Sequence, residues 1–452
     1  MSYFKTLIIV AGSFFLLVHN HTQAQSTTPE KDKEFSISAQ IRPRAEYRNG
    51  AYLPLQQGES PAMLIHNRVR LSLDYAQSDK LKVKLSAQNI NVWGQAPQVQ
   101  VTDVSGGLSV FEAYGDIKLS ETFHTKIGRQ VISLDDERIF GALDWHPAGR
   151  SHDALNFSWK DGRSVELQSY FAFNQNYKDI GLNVNNPKGQ YFSPANAQPY
   201  QHMEMLYGKF NVLKKSYISV LATNLGFKTD RLGSDGNIIS GKVQNMQTFG
   251  ANWFGTYGKW KSQLSAYYQT GKSAAARDKS AYLLSGSVGY QLSEPFGITV
   301  GADYLSGDDV NNPDADNATN YFDPFFGTNH KFYGFMDYFY VAGPHVPGLL
   351  DGYVTFSAKA NARTNFALTG HYFSTAADVY RAQEQLSRNL GGEIDFSFNH
   401  QIMPMIGLSG GYSTYFHTPT LLTVKNTPDA RKYQDWLWLS ININPKIFTT
   451  KF

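Results

Sequence analysis

The stretch that decides the fold is Gln40–Arg48, QIRPRAEYR. Arg42, Arg44, Glu46 and Arg48 take every second position, and Ile41, Ala45 and Tyr47 sit between them. A period of two is that of a strand, whose successive side chains point to opposite faces. An ionic face backed by an apolar one asks for water on one side and an apolar medium on the other.

The pattern recurs along the chain. VRLSLDYA sets Val69, Leu71, Leu73 and Tyr75 against Arg68, Arg70, Ser72 and Asp74. LKVKLSAQ sets Lys82, Lys84, Ser86 and Gln88 against Leu81, Val83, Leu85 and Ala87. FEAYGDIKL predicts Glu112, Tyr114, Asp116 and Lys118 on the ionic face, with Phe111, Ala113, Ile117 and Leu119 opposite. GGEIDFSFN and DWLWLSININ follow the same rule, and helical spacing is nowhere sustained, so the chain reads as all-β. Short turns such as AQSDK before Leu81, LSET before Phe123 and KDGR before Ser164 alternate with longer Gly-, Pro- and Asn-rich connections. Strict alternation predicts a transmembrane antiparallel β-barrel with short periplasmic turns and long external loops. Reading HKFYGFMDYF as part of one external loop, Gly307 to Gly348, gives the even count of about 18 strands that a bacterial barrel needs.

The chain has 452 residues and no cysteine, which excludes a disulfide framework and a lipid anchor on cysteine. A formal net charge of +3 names no partner by itself. At the N-terminus, Lys5 precedes an apolar run from Leu7 to Val18, and TQA before Gln25 offers a cleavage site. Residues 1–24 are therefore expected to be a signal peptide, 25–33 a short periplasmic linker and 34–452 the barrel. The expected address is the outer membrane of a Gram-negative bacterium, among its lipid and lipopolysaccharide. Phe452 suits delivery by barrel assembly machinery. In lipid the barrel must close, because an open edge leaves peptide groups without partners.

Arg or Lys facing lipid at the midplane costs roughly 2 to 4 kcal/mol, so the ionic face points inward. The expected pore lining is Arg42, Arg44, Glu46, Arg48, His66, Arg68, Arg70, Asp74, Lys82 and Lys84. Arginine rings select anions, and a guanidinium pairs bidentately with a carboxylate. Glu46, Asp74, Glu112 and Asp116 could instead neutralise the cations and leave a lumen of solvated ions. The basic excess near the start favours an anionic solute. Further on, GRQVISLDDERIFGALDWHPAGRSHDAL adds Arg129, Arg138 and Arg150. Arg129 shares parity with Ile127 and Val131, so either a bulge resets the register or the strand ends at Gly128. The connection holding Arg138 to Arg150 either folds inward and narrows the pore or stays outside and grips lipopolysaccharide.

GRQ followed by DDERIFGALDWHPAGRSHDAL resembles the signature of the alginate export family of outer-membrane barrels. RPRAEYRN, NRVRLSLDY, AQNINVWG, YLSGDD, FDPFFGTNHKFYGFMDYF and GHYFSTAADVYR extend the resemblance over most of the chain. It implies an eighteen-stranded barrel with an arginine-lined lumen that passes a polyuronate or another anionic solute. It also implies Arg68, Arg70, Arg129 and Arg150 as constriction residues, with Asp153 an acidic counterpart. No periplasmic turn exceeds about six residues, too short to plug the lumen from below, which favours a passive, anion-preferring channel.

Other chemistry finds little support. Ser151, His152 and Asp153 are adjacent, and neighbours on a strand face opposite ways, so no catalytic set is expected. His371 reads as a lumen or rim residue. The run GDDVNNPDADN, Gly307 to Asn317, offers oxygen ligands of the kind calcium takes but lacks a closing Glu, and a solvated loop is the expectation. No cofactor or metal is expected, and no pattern suggests nucleic acid.

Overall fold

The computed structural model describes residues 33–452 except 96–107, 175–199, 229–230, 233, 235–237, 240, 313–318 and 342. The expected signal peptide and all of the linker but Lys33 lie outside the described residues, as does 313–317 of the acidic run. The first half of the wall is β1 (Lys33–Asn49), β2 (Ala62–Gln77), β3 (Leu81–Val92), β4 (Ser109–Lys118), β5 (Phe123–Gln130), β6 (His152–Lys160), β7 (Val165–Phe173), β8 (His202–Leu213) and β9 (Ser216–Phe227). The second half is β10 (Gln244–Tyr257), β11 (Trp260–Lys272), β12 (Asp278–Gln291), β13 (Phe296–Leu305), β14 (Leu349–Asn361), β15 (Thr364–Ser374), β16 (Asn389–Met403), β17 (Ile406–His417) and β18. The last stave runs as two pieces, Gln434–Ile443 and Lys446–Lys451, interrupted at Pro445, which has no N–H to give the ladder. Both pieces pair antiparallel with β1, so eighteen staves close into a barrel. No helix among the described residues is long and apolar enough to cross a membrane.

The period-two sequences fix the faces. β1 and β2 pair without slippage from Lys33↔Gln77 to Arg48↔Ala62, which sets Arg42 beside Arg68, Arg44 beside His66 and Gln40 beside Arg70. On the other face Ile41, Val69, Leu71, Val83 and Leu85 are exposed, as the lipid side of a barrel requires. Trp159, Tyr257, Trp260, Phe296 and Phe416 add outward aromatics.

Two expectations need correction. Phe111 does not face outward. The β3–β4 register shifts between Ser86↔Glu112 and Ala87↔Val110, so Phe111 is the extra residue of a bulge. Its ring is buried under the Arg70 guanidinium, 3.4 Å away. The alternation of short and long connections also fails once, because the external connection 273–277 has only five residues. Pairing continues to Lys272↔Asp278, joined by a 2.6 Å ion pair, and the hairpin closes at the rim.

The apolar core lies inside the barrel, between the wall and two inward-folded connections, 131–151 and 306–348. HKFYGFMDYF forms no strand; it holds one 3-10 turn (Asn329–Lys331) and packs Met336 and Phe339 against Phe373, Tyr415 and Trp436. These side chains are at most 1 % exposed, and full burial of such a residue contributes roughly 1.5–3 kcal/mol. Helix α1 (Pro419–Lys425), capped by Thr418, buries Leu421 at the edge of the cluster.

Candidate functional site

One wall of the lumen is basic. Glu46, wholly buried, accepts from Arg44 at 2.7 Å, from Arg48 at 2.8 Å and from the Trp436 indole at 3.1 Å. Among the described residues Arg70 forms no ion pair; its Nη2 donates to Gln88 Oε1 at 2.7 Å while its face lies on Phe111. Below, towards the periplasmic rim, Lys84 lies 3.4 Å from Glu112 and 3.8 Å from Asp74, with Lys82 beside them.

The connection 131–151 crosses the lumen as a strap with three moorings. Asp135 accepts from Tyr207 on β8 (2.9 Å), Ser219 on β9 (2.8 Å) and Asn252 on β10 (3.2 Å). Arg138, fully buried, pairs with Asp136 at 2.8 Å and with Asp303 on β13 at 3.0 Å. Asp144 then reaches the basic wall, Arg68 at 2.8 Å and Arg42 at 3.2 Å. Burial opposes its ionisation, but Arg68 and Arg42 outweigh that and hold the carboxyl below the usual range. Trp145 is sandwiched between the Arg44 guanidinium (4.1 Å) and the stacked His330 ring (3.9 Å), which ties the strap to the connection 306–348.

A separate stretch of wall, β13 to β16, carries acids that sequence reading did not assign to the site: Asp303 on β13, Asp351 on β14, and Glu393 and Asp395 on β16. All four are at most 2 % exposed, because the connection 306–348 covers them. Met336 N–H donates to Glu393 at 2.7 Å and Phe335 N–H to Asp395 at 3.3 Å, while His371 lies 2.9 Å from Asp351. Glu393 and Asp395 thus hold the connection 306–348, Asp303 holds the strap through Arg138, and Asp351 faces His371 on β15. The alternation of GGEIDFSFN contained the signal, since Glu393 and Asp395 share a face against Ile394 and Phe396.

Between the strap, the basic wall and the connection 306–348 lies a cavity of about 690 Å³. Arg44, Arg48 and Arg150 give it charge, and Trp145, Phe326 and Tyr340 give it flat apolar surface. Arg150 donates to the carbonyls of Phe326 and Gly327 and forms no ion pair among the described residues; burial lowers its pKa to about 10, which leaves it cationic at neutral pH. Asp323 and Asp337 also line the cavity, and burial pushes both carboxyls up towards the neutral form. His146 is held neutral by burial and by the nearby Arg44 and Arg150.

The expected site residues separate into groups. Arg42, Arg44, Glu46, Arg48, Arg68 and Arg70 gather with Arg150 around the strap, and Asp74, Lys82 and Lys84 lie nearer the periplasmic rim. Arg138 pins the strap to the acidic wall. Arg129 and Asp153 are elsewhere. They pair with each other at 3.2 Å on the outward parity shared with Ile127 and Trp159. Neither expected irregularity occurs there: the register runs unbroken through Gly128, at φ +120°, to Arg129↔Asp153. Ser151 donates to Phe111 O, His152 lies on Tyr200 and Asp153 faces out, so the three do not converge. Sequence reading also missed Asp144, whose partners Arg68 and Arg42 lie 76 and 102 positions away and leave no local trace, and Gln88, the cross-strand partner of Arg70 only 18 positions on.

The sequence matches the model of the Alginate export family over residues 33–417. Three crystal structures share the fold. The closed barrel aligns with OccK5 (OpdH) of Pseudomonas aeruginosa at 12% identity and a TM-score of 0.57, covering 92% of this chain and 99% of that one. It aligns with the outer membrane protein OpdK of the same organism at 10% and 0.58, covering 92% and 99%. OccAB4 of Acinetobacter baumannii gives 10% and 0.58, covering 94% and 100%. No curated protein matches the sequence. The chain belongs to the alginate export family, and its eighteen-stranded closed barrel is that of an outer-membrane channel.

Proposed function

We propose that the barrel passes anionic solutes, best of all an acidic oligo- or polysaccharide of the polyuronate kind. One observation carries this reading. Five guanidinium groups of the wall, Arg42, Arg44, Arg48, Arg68 and Arg70, face the strap, which adds Arg150, and among the described residues two carboxylates, Glu46 and Asp144, pair with these six. The acids of β13 to β16 are covered, so they do not cancel this excess along the open path. Guanidinium forks suit carboxylates, and many weak contacts suit passage better than one tight site.

Residues 1–24 are proposed as a cleaved export signal, and the outward aromatic face as the surface that meets lipid and lipopolysaccharide. A second reading, a general porin of little selectivity, draws on Glu46 and Asp144, which between them engage four of the six arginines. Competition in planar bilayers separates the two. Uronate oligomers should reduce the current at lower concentration than neutral oligosaccharides of equal length. Equal block by both would favour the general porin.

A further inference from the structure

Five consecutive carbonyl oxygens of the strap accept from side chains of the basic wall. Asp144 O accepts from Arg42 at 2.8 Å, Trp145 O from Arg44 at 2.8 Å and His146 O from Arg42 at 3.4 Å. Pro147 O accepts from Arg68 at 3.4 Å and Ala148 O from Gln88 at 3.0 Å. The Asp144 carboxylate lies between Arg42 and Arg68. A carboxylate followed by a row of oxygen acceptors is the chemistry of an acidic sugar chain.

We propose that Asp144–Ala148 is a tethered stand-in for the transported anion, which keeps the arginine track occupied until a carboxylated, oxygen-rich chain displaces it. The inference rests on the reading of the lumen as an anion path, and adds to it an autoinhibitory contact and a minimum ligand length. The donors sit on β1, β2 and β3, and three neighbouring strands span about 10 Å, so one carboxylate cannot engage them all. The ligand that replaces the strap is therefore an oligomer bearing several oxygens and more than one carboxylate.

The strap is built to let go. Its own backbone bonds close it on itself, Arg150 N–H to Ala142 O at 2.8 Å and Gly149 N–H to His146 O at 3.1 Å. Among the described residues it shares no strand ladder with the wall, so only side chains hold it there. Left-handed Leu143 (φ +49°) and Gly149 (φ +68°) bracket the segment as pivots. The Asp144 side chain is 63 % exposed, within reach of an arriving solute. Four of these five carbonyls accept from guanidinium groups yet carry no charge of their own, so a polyanion that brings carboxylates to the same donors adds ion pairing that the peptide oxygens lack. Meanwhile the moorings at Asp135 and Arg138 keep the strap attached.

The test compares wild type, Asp144→Asn and Arg68→Gln in planar bilayers, reading the uronate-oligomer concentration that halves the current. Asp144→Asn frees Arg42 and Arg68, so half-block should need about tenfold less oligomer, the scale of one charged hydrogen bond. Arg68→Gln should need more. Gly149→Ala is the second variant. A Cβ there would come 2.8 Å from the Phe111 ring at a left-handed backbone, which lifts the strap and should shift block in the same direction as Asp144→Asn. If wild type is blocked but neither strap variant binds oligomer more tightly, the stand-in is wrong and the anion path stands. If uronate oligomers do not block wild type at all, both are wrong.

Discussion

Glu46 is the residue on which the basic wall turns. Its side chain is wholly buried, and Arg44, Arg48 and Trp436 all point at it. Glu46→Gln keeps the shape but leaves two guanidinium groups crowded without their counter-charge. Removing one partner of a buried ion pair costs about 3–5 kcal/mol, and thermal unfolding followed by circular dichroism should show a loss of that order. Arg70 and Arg150 present the opposite case, because neither forms an ion pair among the described residues. Arg70→Gln and Arg150→Gln should each shift the reversal potential towards the cation more than Arg48→Gln, which removes a charge already matched by Glu46. Equal shifts would mean that local pairing does not govern the field in the lumen.

At the scale of elements, the strap and the connection 306–348 narrow the lumen, and both depend on contacts distant in sequence. Arg138→Gln strips Asp303, 1 % exposed, of its cation and loosens the strap at its middle mooring. Single-channel records of that variant should show larger and noisier currents, with lower thermal stability. The two classes of loop carboxyl respond oppositely to acid. Asp144 is depressed, so its grip on Arg42 and Arg68 is fully present above the ordinary aspartate pKa of about 4 and is lost only as pH falls through the lowered value. Asp323 and Asp337 are raised by burial, so they take up protons sooner, and each proton removes a negative charge from the cavity. Anion preference should therefore grow as pH falls from neutral towards the ordinary aspartate value of about 4, while the strap stays docked. A reversal potential that does not move over that range would contradict the sign.

At the scale of the whole molecule, the barrel was legible because a period of two writes its faces into the sequence. The same rule placed Arg42 to Arg48, Arg68 and Arg70 in the lumen, while the even strand count kept HKFYGFMDYF out of the wall. Period two failed at Phe111, where an inserted residue breaks parity, and the alternation of short and long connections failed at 273–277, where strand pairing runs on to the rim. It was silent on Asp135, Asp144 and the covered acids, whose partners lie across the barrel. The inward fold of 131–151 was one of two open alternatives, and the ion pairs of Asp144 decide between them. The cationic excess along the open path is the central claim, and its most direct test is the reversal potential of the wild-type barrel under a potassium chloride gradient. Displacement towards the chloride potential is the expected result. Displacement towards the potassium potential would contradict it.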